Sequence, residues 1–285
     1  MNKNLQKFQE FKKKIVIGTA QFGKVYGINN INKNPLKTSV VKLILKNLSK
    51  NGINHLDNAE GYGFKINILG KKNFTIDTKI LICKRNSLEH NLKKIIENYK
   101  KKNLKISSIY IHNPKLIFTK YGKIIYKNLK YLKKKKLFKN IGVSVYDLKL
   151  LKKIVSKLKI DVVQLPYNIL DRRFENYFKI FKKKKILIYA RSVFLQGALL
   201  SKKSNKINKS KEVKKFHNFT KKNRVSNLYT CIEFVIKNKL INKVVVGIDN
   251  NNQLKQILRF KLQNKNLSLN DLQTNNLKII DPRYW

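Results

Sequence analysis

Eight short apolar segments alternate along the chain with longer segments in which apolar positions recur every three to four residues among lysines. The short segments are rich in Ile and Val and too brief for helices, so they predict strands. The predicted strands cover residues 15–20, 53–57, 74–82, 107–112, 140–145, 162–168, 186–193 and 243–248. The longer segments, such as 40–48, 148–158 and 228–236, have the spacing of amphipathic helices.

Apolar strands separated by helices are typical of parallel strands covered by helices. Eight such units in about 250 residues predict an α/β fold, a (β/α)8 TIM barrel. We expect a single domain over residues 1–285, with 261–285 as a C-terminal tail carrying a helix near 267–275. A doubly wound open sheet is the alternative, but Gly18 and Gly23 lack the spacing of a dinucleotide-binding glycine motif.

Charge is the most unusual compositional feature. The 285 residues include 65 Lys and Arg against 15 Asp and Glu, a net charge of +50, while 42% hydrophobic residues supply a core. The charge suggests a polyanion site. However, lysines are spread along the whole chain and only seven of the 65 cations are Arg, the better phosphate and base ligand. This pattern favours a compositional bias on solvated helix faces over nucleic-acid binding.

Cysteine usage and hydropathy limit the remaining classes. Two cysteines, Cys83 and Cys231, give neither a disulfide framework nor a cysteine-based zinc site, and we expect no metal. The N-terminus lacks the apolar stretch of a signal peptide, and no window approaches the ~18 apolar residues of a membrane helix. We therefore predict a cytoplasmic protein with no membrane partner.

Chemically versatile side chains follow three neighbouring predicted strands. Asp57 and Tyr62 follow the second, Lys79 lies on the third, and His112 ends the fourth. Because strand ends of a barrel share one rim, these groups are expected to meet. A lysine beside a phenol lowers the phenol's pKa from its usual ~10, a carboxylate holds the lysine, and an imidazole orients a carbonyl. Each residue alone is equally well explained as a cap, a packing residue or a solvated charge.

The motifs around these residues resemble those of the aldo-keto reductases over about residues 15–260. They are GINHLDNAEGYG at 52–63, TK at 78–79, IYIHNP at 109–114, IGVS at 141–144, VVQLPYN at 162–168 and VG at 246–247. The resemblance implies reduction of an aldehyde or ketone by a nicotinamide cofactor. It implies Tyr62 as general acid, Lys79 lowering its pKa, Asp57 pairing with Lys79, and His112 orienting the carbonyl.

The resemblance also implies which residues bind the cofactor and the substrate. The implied cofactor contacts are Thr19, Asp57, Ser144, Gln164, Arg191, Ser192, Phe194, Gln196, Gly197, Gly247, Asp249, Gln253 and Gln256, and the implied substrate contacts are Asn113 and Asn168. Arg191 stands where the family usually has an aromatic that stacks on nicotinamide. The family favours NADPH, and the acidic Asp249 leaves NADH open.

The segments GTAQFGKVYGIN at 18–29 and RSVFLQG at 191–197 resemble a bacterial subgroup associated with surface-polysaccharide or nucleotide-sugar pathways. We therefore expect carbohydrate metabolism and a small-molecule carbonyl substrate, sugar-like and anionic. Two alternatives stay open. One is a non-catalytic cofactor-binding module resembling channel β-subunits, which Arg191 and Asp249 favour and His112 disfavours. The other is a polyanion-binding barrel.

Overall fold

The computed structural model describes residues 3–30, 32, 34–70, 73–82, 88–201, 205–263, 265 and 267–285. Its strands form one closed barrel in chain order, and every neighbouring pair is parallel. The strands are β1 (Ile15–Gly18), β2 (His55–Asp57), β3 (Thr75–Ile80), β4 (Lys105–Ile111), β5 (Asn140–Ser144), β6 (Val162–Pro166), β7 (Leu187–Arg191) and β8 (Lys243–Gly247). The predicted TIM barrel is confirmed, and the open sheet is excluded.

Amphipathic helices connect most strands and bury their apolar faces against the outside of the barrel. In chain order they are α1 (Lys3–Lys14), α2 (Ala20–Gly23), α3 (Thr38–Lys50), α4 (Leu88–Lys101), α5 (Lys120–Lys134), α6 (Leu148–Lys157), α7 (Phe178–Lys183), α8 (Lys211–Lys222), α9 (Asn227–Lys237), α10 (Asn251–Leu258) and α11 (Leu277–Ile280). Within the described part of the chain, no helix is long and apolar enough to cross a membrane.

The connection between β2 and β3 differs from the other strand connections in having no α-helix among its described residues. Its described residues form two 3-10 turns, Glu60–Tyr62 and Ile66–Leu69, in place of an α-helix. The first turn carries Tyr62, and Gly63 follows it in the left-handed region at φ 71°. A β-carbon at Gly63 would also clash with the backbone oxygen of Gly23. Both the backbone angle and the lack of space therefore favour glycine at this position. The turn therefore places Tyr62 directly over the barrel.

The C-terminal tail differs from the prediction. The helix expected near 267–275 is wrong, because this segment contains only the 3-10 turn Asn270–Leu272. Its Ser, Asn, Asp and Thr side chains compete with a helical backbone for hydrogen bonds. Regular structure appears later, in α11 and the 3-10 turn Pro282–Tyr284.

Alternate residues of each strand point into the barrel. Below the rim, His55 lies with its Nε2 2.9 Å from Oδ2 of Asp77, whose side chain is fully buried. Tyr110, Tyr189 and Val162 form a small apolar cluster separate from the main core. His55 is thus close to the buried carboxylate of Asp77 on the neighbouring strand. Cys231 is buried in the core, while Cys83 lies outside the described residues.

Candidate active site

A cleft of about 740 Å³ opens at the rim formed by the carboxyl ends of the strands. Fifteen of the predicted site residues line it, and they come from strand ends and following loops that are far apart in sequence. They are Asp57, Tyr62, Lys79, His112, Asn113, Ser144, Gln164, Arg191, Ser192, Phe194, Gln196, Gly197, Gly247, Asp249 and Gln253. The structure therefore brings together the four predicted catalytic groups and most of the predicted cofactor contacts.

The centre of the cleft floor is a buried ion pair. Lys79 on β3 places its Nζ 2.5 Å from Oδ2 of Asp57 on β2, and the two side chains are 1% and 4% exposed. The same ammonium donates to the carbonyl oxygen of Asn58 at 3.3 Å. Strand register explains the proximity, since Asp57 pairs with Asp77 and Lys79 lies two residues further along the inward face.

Tyr62 and His112 stand above this pair. The Nζ of Lys79 lies 5.1 Å from the Tyr62 ring centroid. The rings of Tyr62 and His112 meet edge to face, with centroids 6.3 Å apart. The backbone N–H of His112 donates to Ile80 at 2.8 Å, which fixes the end of β4 beside β3. A carbonyl oxygen can therefore meet a phenol and an imidazole in one place.

The pKa values of the site follow from burial and local charge. Burial raises the pKa of Tyr62, and Lys79 pulls it only partly back. Lys79 therefore lowers the pKa of Tyr62 by less than burial raises it, and Tyr62 stays protonated at neutral pH. Burial opposes the charge of Lys79, but Asp57 and Tyr62 outweigh it and raise the pKa of Lys79. Burial, assisted by Lys79 and Arg191, lowers the pKa of His112 to about 4. His112 is thus a neutral imidazole.

Gln164 links the ion pair to the cofactor side of the cleft. Its Nε2 donates to Oδ1 of Asp57 at 2.8 Å, so Asp57 bridges Lys79 and Gln164. Ser144 is the register partner of Gln164 across β5 and β6, so both side chains point into the cleft side by side. A hydroxyl and a primary amide supply the donors and acceptors that a carboxamide requires.

The loops after β7 and β8 form the far end of the cleft. Ser192, Leu195 and Gln196 adopt left-handed backbone angles, an unusual conformation for residues other than glycine that concentrates at functional sites. Gly247 lacks a side chain beside Gln21, and a β-carbon there would collide with the Gln21 amide. Gln253 accepts from the backbone N–H of Asp249 at 2.7 Å. The hydroxyl and amide groups of the cleft supply the donors and acceptors that a nicotinamide dinucleotide requires.

Three predicted residues do not line the cleft. Thr19 is buried and donates to Asn58 at 2.7 Å, so it holds the β2 end in place. Asn168 donates to the carbonyl of Ser192 at 2.9 Å and accepts from the N–H groups of Leu170 and Asp171, which leaves its side chain engaged within the protein. Gln256 is exposed on α10.

Asn113 is a partial case. It lines the cleft, but its amide exchanges two hydrogen bonds with the backbone of Ile82, at 2.7 Å and 2.8 Å. Its amide is committed to joining the ends of β3 and β4. We therefore assign it a positioning contribution within the rim.

Comparison with known proteins decides the family. The profile of the aldo/keto reductase family matches residues 14–274, which is most of the chain. The chain belongs to the aldo/keto reductase family. Membership implies an oxidoreductase that reduces a small-molecule carbonyl compound with NAD(P)H.

Solved aldo-keto reductases share the fold at low sequence identity. The holo form of aldo-keto reductase AKR11C1 from Bacillus halodurans is 15% identical, with a TM-score of 0.70 and coverage of 95% of each chain. Glycerol dehydrogenase AKR11B4 from Gluconobacter oxydans is 16% identical, with a TM-score of 0.66 and coverage of 94% of this chain and 92% of the other. Among curated proteins, none matches the sequence.

Sequence reasoning missed several residues that line the cleft of this reductase. Tyr146 follows β5, Lys24 and Tyr26 come from the loop after β1, and Arg283 comes from the tail. The guanidinium carbon of Arg191 lies 3.8 Å from the Tyr146 ring centroid, and that of Arg283 lies 4.7 Å from it. Burial raises the pKa of Tyr26 to about 12. The aromatic after IGVS at 141–144 was visible in the sequence, whereas nothing local indicated that residue 283 returns to the barrel.

Proposed function

We propose that this reductase converts an aldehyde or ketone on a sugar-like molecule to an alcohol, with Tyr62 as the proton donor. The observation that carries the proposal is the buried Asp57–Lys79 pair beneath Tyr62, with His112 beside it. A charged pair in this position is costly to bury, and its orientation toward one phenol gives it a chemical use.

The proposed reaction needs one hydride and one proton. When bound, the nicotinamide cofactor supplies the hydride to the carbonyl carbon. Tyr62 gives its phenolic proton to the carbonyl oxygen, so the product is a neutral alcohol. Lys79 stabilises the phenolate left behind, and solvent restores the proton. Neutral His112 donates an N–H to the same oxygen and holds it near Tyr62.

Asp57 has two tasks in this scheme. Oδ2 keeps Lys79 charged and fixed, and Oδ1 holds the amide of Gln164. Gln164 and Ser144 would orient the cofactor's carboxamide, and the loops after β7 and β8 would hold its phosphates and adenosine. A single carboxylate thereby couples the proton donor to the cofactor's position.

On the preference of the family, we propose NADPH as the preferred cofactor, with NADH also accepted. The acidic Asp249 lines the adenosine end of the cleft, and a carboxylate there repels a 2′-phosphate. Lys255 on α10 is exposed nearby in sequence and offers an opposing charge. Discrimination between the two cofactors is expected to be weak.

A sugar-like substrate is supported by the aromatic lining of the cleft, whose volume is about 740 Å³. Tyr26 and Tyr146 line it, and aromatic side chains are usual partners of hydroxylated rings.

The second candidate is a cofactor-binding module without turnover. Arg191, in place of a stacking aromatic, is the observation that favours it. One assay separates the two: spectroscopic oxidation of NADPH and NADH against a panel of aldehydes and keto-sugars, with cofactor binding measured in parallel. Reduction of at least one keto-sugar, with slower or equal use of NADH, supports the proposal. Cofactor binding without oxidation on any panel member overturns it in favour of the module.

A further inference from the structure

Arginine is rare in this chain, and some of it lies at the cleft. Only seven of 65 cations are Arg. Two of these, Arg191 and Arg283, line the cleft, and Arg173 anchors the segment that carries Arg283. In a chain that uses lysine almost everywhere, arginine at these positions points to a need for a planar guanidinium, which binds carboxylate and phosphate with two parallel hydrogen bonds.

Arg191 carries a charge that no carboxylate balances by contact. Its guanidinium lies over Tyr146, and its two Nη atoms donate to Val145 O at 3.0 Å and Ser192 Oγ at 3.3 Å. No ion pair joins it to a carboxylate of the described residues. These neutral contacts hold the guanidinium in place while leaving its charge available.

Arg283 lies on the tail, and ion pairs with buried carboxylates hold this part of the tail at the cleft. Asp281 is fully buried and accepts from Arg283 Nε at 2.9 Å and Nη2 at 2.6 Å. Arg173 holds Asp281 at 3.2 Å and Asp171 at 2.8 Å. The Arg283 side chain remains 43% exposed, and its guanidinium also lies over Tyr146. Asp281 binds Nε and Nη2 of Arg283, so Nη1 of Arg283 takes no part in this ion pair.

Carboxylates offset part of this charge. Asp281 pairs with Arg283, and Asp171 pairs with Arg173, so the three guanidinium groups exceed these two carboxylates by one positive charge. Asp57 is engaged with Lys79 and Gln164, and no carboxylate of the described residues forms an ion pair with Arg191. Arg191 and Arg283 therefore present N–H donors beside Tyr146, with the charge of Arg191 not paired to a carboxylate of the described residues.

We infer that Arg191 and Arg283, held around Tyr146, bind an anionic group of the carbonyl substrate, a carboxylate or a phosphate. This inference rests on the proposed function, because it names the class of substrate that the same cleft reduces. With the carbonyl at Tyr62 and His112, the anion lies toward the tail. The tail then selects substrates by charge.

The test compares matched pairs of aldehydes that differ by one anion. One pair is 4-oxobutanoate and butanal, and the other is glyceraldehyde 3-phosphate and glyceraldehyde. kcat/KM is measured for wild type, Arg191→Gln, Arg283→Gln and Arg283→Lys. Arg259→Gln, which removes the same charge from an exposed position at the end of α10, is the control.

Wild type is expected to prefer the anionic member of one pair by about tenfold or more in kcat/KM. Which of the two pairs shows the preference tells whether the bound anion is a carboxylate or a phosphate. Arg191→Gln and Arg283→Gln are expected to lower that preference by about tenfold each, with Arg283→Lys between Arg283→Gln and wild type. The preference in Arg259→Gln is expected to equal that of wild type. Equal rates for both members in wild type, or equal losses for both members in the variants, overturn the inference.

A binding measurement separates failure of this inference from failure of the proposed function. Trp285 is the single tryptophan of the chain and lies two residues beyond Arg283. Its fluorescence is followed during titration with succinate and with inorganic phosphate. A saturable change that Arg283→Gln abolishes supports anion binding even if no aldehyde is reduced. No saturable change with either anion overturns it even if neutral aldehydes are reduced well.

Discussion

Two cationic centres line the same cleft but differ in their surroundings. The Lys79 ammonium is 1% exposed and is paired at 2.5 Å with a carboxylate on the neighbouring strand. Arg191 has only neutral contacts, and Arg283 is 43% exposed and reaches the cleft from the tail. The first centre is built on two adjacent strands of the barrel, and the second combines the last residue of β7 with a residue of the tail around Tyr146.

On the proposed function, the difference separates the reaction from substrate selection. Strand register fixes the Asp57–Lys79 pair, because both residues lie on paired strands of the barrel. Around Tyr146, Arg191 ends β7, whereas Arg283 lies on the tail, a segment whose sequence can change without disturbing the barrel. The proposed proton transfer would therefore depend on the barrel strands, and the proposed charge selection in part on a segment that can vary.

The largest expected effect comes from breaking the buried pair. Lys79→Met leaves the Asp57 carboxylate buried without its cation, and we expect a loss of about 3–5 kcal/mol in the free energy of unfolding. Urea denaturation of wild type and variant measures it. Lys123→Met removes an exposed lysine of α5 and serves as the control. A loss no larger than that of Lys123→Met would show that the pair is not buried as described.

A smaller loss in the free energy of unfolding is expected at Asp281, which holds the tail in place. Asp281→Asn weakens the charge-assisted hydrogen bonds to Arg283 and Arg173, at a cost of about 1.5–3 kcal/mol. The emission of Trp285 should also shift, because the tail loses its fixed position. Asp271→Asn makes the same chemical change at an exposed position of the tail. Equal stability and equal emission in the two variants would argue against the anchor.

His112 gives a pH-dependent effect. Its pKa falls from an ordinary 6.5 to about 4 in the folded protein. Between these values the unfolded chain binds a proton that the folded chain does not, so stability is lost as pH falls from 6.5 to about 4. In His112→Gln this contribution is absent. Denaturation at several pH values should show wild type losing stability relative to the variant on acidification, and a constant difference would contradict the assignment of a neutral imidazole.

The smallest effect is expected for the exposed lysines on the helix faces, which we call the lysine coat. Lys237 pairs with Glu233 at 2.7 Å one helical turn away, but its side chain is 59% exposed. Lys237→Ala should change the free energy of unfolding by about 0.5 kcal/mol or less. Denaturation in low and high salt measures this directly. A loss comparable to that of Lys79→Met would mean that the coat has a structural role we do not assign to it.

Much of this architecture was predictable because it repeats. Eight apolar strands and the end positions of Asp57, Lys79 and His112 follow from periodicity and from the common rim of parallel strands. Lys79 was also predicted to lower the pKa of Tyr62, and it does so, but burial raises that pKa by more. Burial depends on packing that no local pattern shows.

The missed residues lie on connections. The return of Arg283 to the cleft depends on Arg173, which pairs with Asp171 two residues before it and with Asp281 about a hundred residues after it. The polar tail segment was predicted as a helix, although its side chains favour turns. Asn168 was predicted from motif resemblance to meet substrate, whereas its hydrogen bonds run to the backbone of its own loop and of Ser192.

The central claim is that Tyr62 donates the proton over the Asp57–Lys79 pair. It is tested most directly by single-turnover cofactor oxidation in Tyr62→Phe, with the best substrate of the carbonyl panel and with cofactor affinity measured in the same samples. The account predicts a fall of about 100- to 10,000-fold in the oxidation rate with the cofactor dissociation constant unchanged. Oxidation at a rate close to that of wild type would contradict it.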